Sequence, residues 1–352
     1  MRGWRFAVPF AFLALAPLGY QLGGLFTFSV LAATPLILTL GDGLLGDDDA
    51  APAPAGRETY RLLPWLYIPL QLAVVAWAGW TVAQPATSLF QAVALTLSCG
   101  LTMGIFGFLA AHEMVHSRRA VERAAGLAML APLLYLHFSI AHLQGHHRRG
   151  ATYEDPASAR LGESAYAFLI RSIGGQWREA WGYEQARIAR AGRGVNRLIP
   201  FAAAQIVLIA AVAAFSLRAL GFFLADAALA VVMLELFNYV AHYGLQRRVG
   251  PDGRPERLAP RHSWNSSRQV NNAALFNMGR HADHHRFSAR VYQELEVLDG
   301  GSLLPAGYAL AILTALVPPL WFRVMDRRAL AALGDAPVDS GARAADGRAA
   351  AA

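Results

Sequence analysis

Residues 87–116 read TSLFQAVALTLSCGLTMGIFGFLAAHEMVH, and the fold turns on this stretch. From Thr87 to Ala111 it carries no ionised side chain; wound as a helix, it is long enough to cross the ~30 Å hydrocarbon core of a bilayer. It then breaks into His112-Glu113-Met114-Val115-His116. Positions i and i+4 share one face of a helix, so both imidazoles can reach one metal ion. A spanning helix with metal-ligand chemistry at its mouth is therefore the unit from which the rest of the chain is read.

Similar apolar runs lie near residues 5 to 22, 24 to 41, 62 to 83, 198 to 217 and 220 to 241, which with 87 to 111 makes six spans. The composition agrees: of 352 residues 55% are apolar and only 16% charged, too apolar for a soluble domain. The expected fold is all-α and integral to a membrane, with residues 1–325 as one domain and a disordered tail, rich in Ala, Gly, Asp and Arg, over 334–352. Met1-Arg2-Gly3-Trp4-Arg5 with the run behind it reads as a first span, because a second run follows at once and no clear cleavage site intervenes. The net charge of +7 sits in the joints between runs, where the positive-inside rule puts it, so nucleic-acid binding is not expected. Trp65, Trp77 and Trp80 read as packing or interface anchors. Arg118-Arg119 and Arg148-Arg149 read as interface residues that can double as a docking patch. The one cysteine, Cys99, excludes a disulfide framework and a thiolate metal site, so any electrons come from another protein.

Short, nearly neutral joints at Gln21-Leu22-Gly23-Gly24, Gln84-Pro85-Ala86-Thr87 and Arg218-Ala219 mark the far side, and the charged joints mark the cytosol. This puts the N-terminus, the Asp47-Asp48-Asp49 linker, residues 118–197 and everything after Arg247 on one face. Parity then decides two further apolar stretches. If residues 124 to 141 crossed completely, the histidines after them would emerge opposite His112 and His116, so the stretch is expected to turn back or lie at the interface, buried within protein. Residues 303 to 322, broken by Pro318-Pro319, read as an apolar surface or interfacial segment, with a seventh span as the alternative.

All 11 histidines fall between residues 112 and 285. His142-Leu143-Gln144-Gly145-His146-His147 repeats the i, i+4 spacing and adds a neighbour pointing elsewhere, so one side can serve one metal and the other a second. His242 closes the sixth run, and His281-Ala282-Asp283-His284-His285 follows with i, i+3 and i+4 spacing. The nine metal candidates are His112, His116, His142, His146, His147, His242, His281, His284 and His285. Nine nitrogens exceed the three or four that one zinc takes, and fit two metals. Glu113, Asp155 and Asp283 are candidates for orienting imidazoles; His137 and His262, which lack paired spacing, are expected beside the ligands rather than among them. HExxH alone suggests a zinc peptidase, and an intramembrane metalloprotease is the version of that idea compatible with the spans. A metal-binding membrane protein without turnover is a third reading. Imidazole does not choose between zinc, copper and iron. A site at the mouth of an apolar bundle favours two irons and O₂, acting on a lipid-soluble substrate drawn from the bilayer.

The ordered series resembles a known family. HEMVH, then His137-Phe138 and HLQGHH, Asp155-Pro156-Ala157-Ser158-Ala159-Arg160, Gly162-Glu163-Ser164, NYVAHYGL ending at Leu245, His262-Ser263-Trp264-Asn265-Ser266, Leu275-Phe276-Asn277, RHADHH and Tyr292-Gln293 together resemble the membrane-bound alkane 1-monooxygenases, within the fatty-acid desaturase and hydroxylase superfamily. The resemblance runs from about residue 20 to 325. It implies six spans with both termini cytosolic in a bacterial-type inner membrane, and a nine-histidine di-iron site. It also implies terminal hydroxylation of alkanes, with electrons from rubredoxin and its NAD(P)H-dependent reductase. The xylene monooxygenase hydroxylase subunits look like a related branch, acting on aromatic methyl groups with a ferredoxin-type donor; fatty acyl hydroxylation or desaturation is a further alternative. The chain departs from the alkane pattern at Ala141 and Ala241, where the family usually has glutamate. It also has Ser117 where lysine is common.

Overall fold

The computed structural model describes residues 2–48 and 57–334, so the expected tail lies outside the described residues from 335 on. Six helices among the described residues are long and apolar enough to cross a membrane: α1 (Arg5–Leu22), α2 (Gly24–Leu45), α3 (Tyr60–Ala83), α4 (Leu89–Val115), α8 (Leu198–Phe215) and α9 (Leu217–His242). Between and after them lie α5 (Ala120–Leu130), α6 (138–149), α7 (Ala165–Ala191), α10 (Gln269–Ala274), α11 (His281–Arg286), α12 (Tyr308–Ala315) and α13 (Pro318–Ala332). One pair of two-residue strands, β1 (Trp264–Asn265) and β2 (Ser302–Leu303), runs parallel. The protein is a multi-pass, all-α membrane protein. α8 makes the point by itself: almost none of its apolar side chains is buried by protein, and a helix apolar all round and left uncovered requires lipid.

Local chemistry sets the span ends. Ser88 caps α4 reciprocally with Gln91, and the Ser216 hydroxyl accepts from the Ala219 N–H at the start of α9. The joint before α4 is closed by Arg218, which donates to the carbonyls of Gln84 and Thr87. This near-neutral far side contrasts with the opposite end, where Asp48 pairs with Arg5, and Arg280 donates to the Asp48 carbonyl at 3.0 Å. Asp42, at the end of α2, accepts from the backbone N–H groups of Val270 and Asn271 at 2.9 and 3.0 Å. The N-terminus, the end of the second span and the segment after residue 247 therefore meet on one side, as the charge pattern requires.

Residues 124–141 do not cross. α5 ends at Leu130, and the chain reverses through 131–137 with Leu134 at φ 55° before α6 begins. α5 lies directly on α4 because Gly126 has no side chain; a Cβ there would stand 2.9 Å from the Ala111 carbonyl oxygen. Residues 303–322 also fall short of a span. The break at Val317-Pro318 splits them between α12 and α13, but the segment is more than a surface strip: Tyr308, Ala311, Ala315 and Trp321 are buried in the main core, as are Met325 and Ala329 farther along α13.

Candidate metal centre

Four elements bring the histidines to one place: the end of α4, α6, the end of α9, and α11. Their ring nitrogens form two groups. The first holds His112, His116, His142, His147 and His284; the second holds His146, His242, His281 and His285; within each group the donor nitrogens lie within 4.8 Å of one another. The groups adjoin, with the His147 and His285 ring centroids 4.8 Å apart.

The division differs from the one expected by helical spacing. His142 and His146, four apart, separate, while His142 and His147, five apart, converge at 3.0 Å. The reason is local: Ala141–His146 winds as a π-helix, whose wider i→i+5 turn puts the fifth residue, not the fourth, over the first. On α11 the i, i+4 pair His281 and His285 stays together at 3.1 Å, and His284 turns to the other group.

The nitrogens are too close for proteins alone to explain. His112, His116 and His147 all point Nε2 at the Nε2 of His142, at 2.9, 2.9 and 3.0 Å. A neutral imidazole has one N–H, so such a knot cannot be satisfied by hydrogen bonds among its members. In addition, Nε2 of His146 and His284 and Nδ1 of His112, His147, His281 and His285 are buried without a partner. A cation in each group would relieve the crowded Nε2 atoms and take up the orphaned Nε2 of His146 and His284, and the all-imidazole donor set fits a metal ion. Burial first, and repulsion between the rings second, push His116, His142, His147, His281, His284 and His285 well below the ordinary imidazole value. The rings are neutral at pH 7, the form that ligates metal.

Two rings have their outer nitrogen held. Asp155 accepts from His146 Nδ1 at 2.8 Å and is itself fixed by the Ser158 hydroxyl at 2.6 Å and the Ala157 N–H at 3.1 Å. Burial works to raise this carboxyl, but His146 and Ser158 outweigh it and hold it at about 2. His242 donates from Nδ1 to the carbonyl of His262 at 3.2 Å. His262 thus touches the site through its backbone, while its ring accepts from the Ala259 N–H and reaches Glu256. Glu113 and Asp283 bond elsewhere. Glu113 accepts from the Tyr292 N–H, and Asp283 from Arg290 and the Glu296 N–H. His137 lies outside both groups with its ring against Tyr135, and burial lowers it to about 4.

Two cavities flank the histidines. One, of about 210 Å³, is apolar and runs between α2, α4, α9 and α12, past Leu31, Leu101, Ile105, Met233 and Ile312. Its histidine end is walled by Phe108 and Phe237, whose rings lie 5.9 Å from His112 and 5.7 Å from His281. The other, of about 380 Å³, reaches His116 and is lined by the charged side chains of Glu113, Arg118, Arg119 and Arg290 together with Tyr292.

Comparison with known proteins matches this architecture. The fatty acid desaturase family profile covers residues 87–298. Alkane 1-monooxygenase 1 of Pseudomonas aeruginosa is 39% identical over 312 residues, 85% of this chain and 82% of the relative. The chain belongs to the alkane 1-monooxygenases. A Pseudomonas putida alkane 1-monooxygenase is 38% identical over 86% of this chain and 78% of its own length. The hydroxylase component of Pseudomonas putida xylene/toluene monooxygenase is 25% identical over 88% and 84%. Against the family resemblance, Ala141 and Ala241 are both buried, and Ala141 packs with Ile140, Ala180 and Leu198.

Three residues on the helices that carry the histidines escaped the histidine pattern. Phe108 and Phe237 belong to apolar runs and carry no distinguishing signal. Glu235 does: it is a lone acid in Leu234-Glu235-Leu236, inside a span, where an ionisable residue signals function by default.

Proposed function

We propose that the chain hydroxylates the terminal C–H of an n-alkane or related hydrocarbon: RH + O₂ + 2 e⁻ + 2 H⁺ → ROH + H₂O. The observation that carries this reading is the apolar channel ending at Phe108 and Phe237, whose rings abut His112 of one histidine group and His281 of the other. The nine histidines hold two irons, which when bound supply the reductive O₂ chemistry that an unactivated C–H bond demands.

The chain's own residues bind, orient and exclude water. The channel accepts an apolar chain lengthwise; from Leu97 to Phe108 it is ~16 Å deep at the helical rise of 1.5 Å per residue, so an end, not a middle carbon, meets the centre. Phe108 and Phe237 shield the substrate side of the rings from water. Asp155 and the His262 carbonyl fix the tautomers of His146 and His242 with Nε2 free for metal. The second cavity reaches His116, and beside it Arg118 and Arg119 offer a docking patch to a rubredoxin or a ferredoxin-type donor, served by an NAD(P)H-dependent reductase. The charge bias of the joints supports that side being cytosolic, and the family membership supports a bacterial-type inner membrane. A zinc peptidase would leave at least five of the nine imidazoles without a role.

The test is whole-cell conversion of n-alkanes, alkylaromatics and fatty acids under ¹⁸O₂, with His281→Ala as control. Singly labelled 1-alcohol from alkanes, absent in the control, is the expected result. Label only in benzylic alcohol or hydroxy acid would reassign the substrate, and unlabelled product would overturn the reading.

A further inference from the structure

Glu235 is fully buried in α9, and no cation is among its hydrogen-bond partners. Four neutral donors converge on it instead. Oε1 accepts from the Tyr135 hydroxyl at 3.1 Å, Gln176 Nε2 at 2.7 Å and, more weakly, Asn238 Nδ2 at 3.5 Å; Oε2 accepts from the Ser172 hydroxyl at 2.6 Å. Gln176 also donates to Ser172 at 2.9 Å, so the network closes on itself. Burying a carboxyl is costly unless its oxygens are hydrogen-bonded. Four donors on one acid mark a junction and not a stray charge.

The junction joins the segments that carry the ligands. Glu235 lies seven residues, two turns, before His242 on α9, and residues at i and i+7 share a helix face. Tyr135 lies seven residues before His142, in the reversal that leads into α6. From it the path is one of rings in contact: Tyr135 is stacked near Phe138, with centroids 6.4 Å apart, and Phe138 stacks on His142 at 4.6 Å. Ser172 and Gln176 belong to α7, whose Glu179 pairs with Arg149 at the end of α6. α6 supplies His142 and His147 to the first group and His146 to the second, while α9 supplies His242 to the second. One carboxyl thus ties both ends of the π-helical turn to the last span.

We propose that Glu235 is a positioning residue of the metal centre, setting the spacing of the two histidine groups by anchoring Tyr135 and α7 to α9. This rests on the histidines being ligands. Removing the acid leaves four buried donors without an acceptor, and the strain falls on the turn before His142.

The experiment loads the full-length, detergent-purified protein with cobalt(II) and records metal content, the visible ligand-field spectrum, and, on the iron-loaded protein, kcat and KM for an alkane. The variants are Glu235→Leu, Glu235→Gln and Tyr135→Phe. Glu235→Leu should shift the cobalt spectrum and lower kcat at least tenfold, with KM for the alkane within about twofold. Glu235→Gln, which keeps one acceptor oxygen at the junction, should restore most of both. Should Glu235→Leu fail to fold, Tyr135→Phe, which deletes one hydroxyl, should show the same spectral shift in smaller measure. An unchanged spectrum and kcat in folded Glu235→Leu, or in Tyr135→Phe where Glu235→Leu does not fold, would overturn the proposal, since a purely structural role lowers yield without moving the spectrum. Wild-type protein that binds no cobalt would instead overturn the ligand assignment beneath it.

Discussion

At the scale of single residues, the imidazoles were legible and their partnership was not. Nine histidines at close spacing announce a metal site because no packing role needs so many, and the structure draws these nine into two groups. Which ring joins which group depended on the π-helical winding of Ala141–His146, where one extra residue per turn moves His147 over His142 and swings His146 to the other side. Nothing in residue types alone distinguishes that winding from an α-helix. Among the carboxylates the spacing was equally mute. Asp155 reaches a ring because Pro156 to Ser158 fold back on it, whereas Glu113, adjacent to His112 in sequence, points along the helix to Tyr292. Replacing Asp155 by Ala should therefore weaken metal binding at the second group about 10- to 100-fold, read by competition with a chelator. Glu113→Gln should leave that affinity within a factor of about three.

The elements were legible to the extent that they meet lipid. Each span is a long apolar run between polar joints, and parity required the stretch near 124–141 to turn back. What parity did not reveal is how the interfacial helices are pinned. α7 is held to the start of α8 by Glu184, which accepts from the side chains of Arg187 and Arg197 and from the Arg197 N–H. Burial works to raise this carboxyl, but the two arginines outweigh it and hold it at about 2. A carboxyl whose folded value is depressed stabilises the fold fully above its unfolded value near 4.5 and loses that contribution as pH falls toward about 2. Thermal melts in detergent should accordingly show Glu184→Gln less stable than wild type at pH 7, with the gap narrowing below pH ~4.5 and closing near pH ~2. A gap that is constant with pH would show the junction to be held by other contacts.

For the whole molecule, the six-span plan and the shared side of the histidines followed from hydropathy and charge. The channel did not. Leu31, Leu101 and Ile312 line it, yet in sequence they are indistinguishable from the leucines that face lipid, such as Leu36 and Leu40. Only the assembled bundle separates an inward from an outward apolar side chain, and α12, too short to span, supplies one wall. Filling the channel should then act on substrate length: Leu101→Trp, partway from Phe108 to Leu97, should raise KM for long alkanes tenfold or more while changing that for short ones less than threefold, in a chain-length series. Equal effects on all lengths would mean the substrate does not lie along α4.

The account as a whole depends on the five-plus-four division of the histidines serving two irons. Metal analysis of protein purified with full occupancy tests this most directly. About two irons per chain, falling in His142→Ala and in His281→Ala, which belong to different groups, is the predicted result. A single zinc per chain that survives loss of His281 would contradict it.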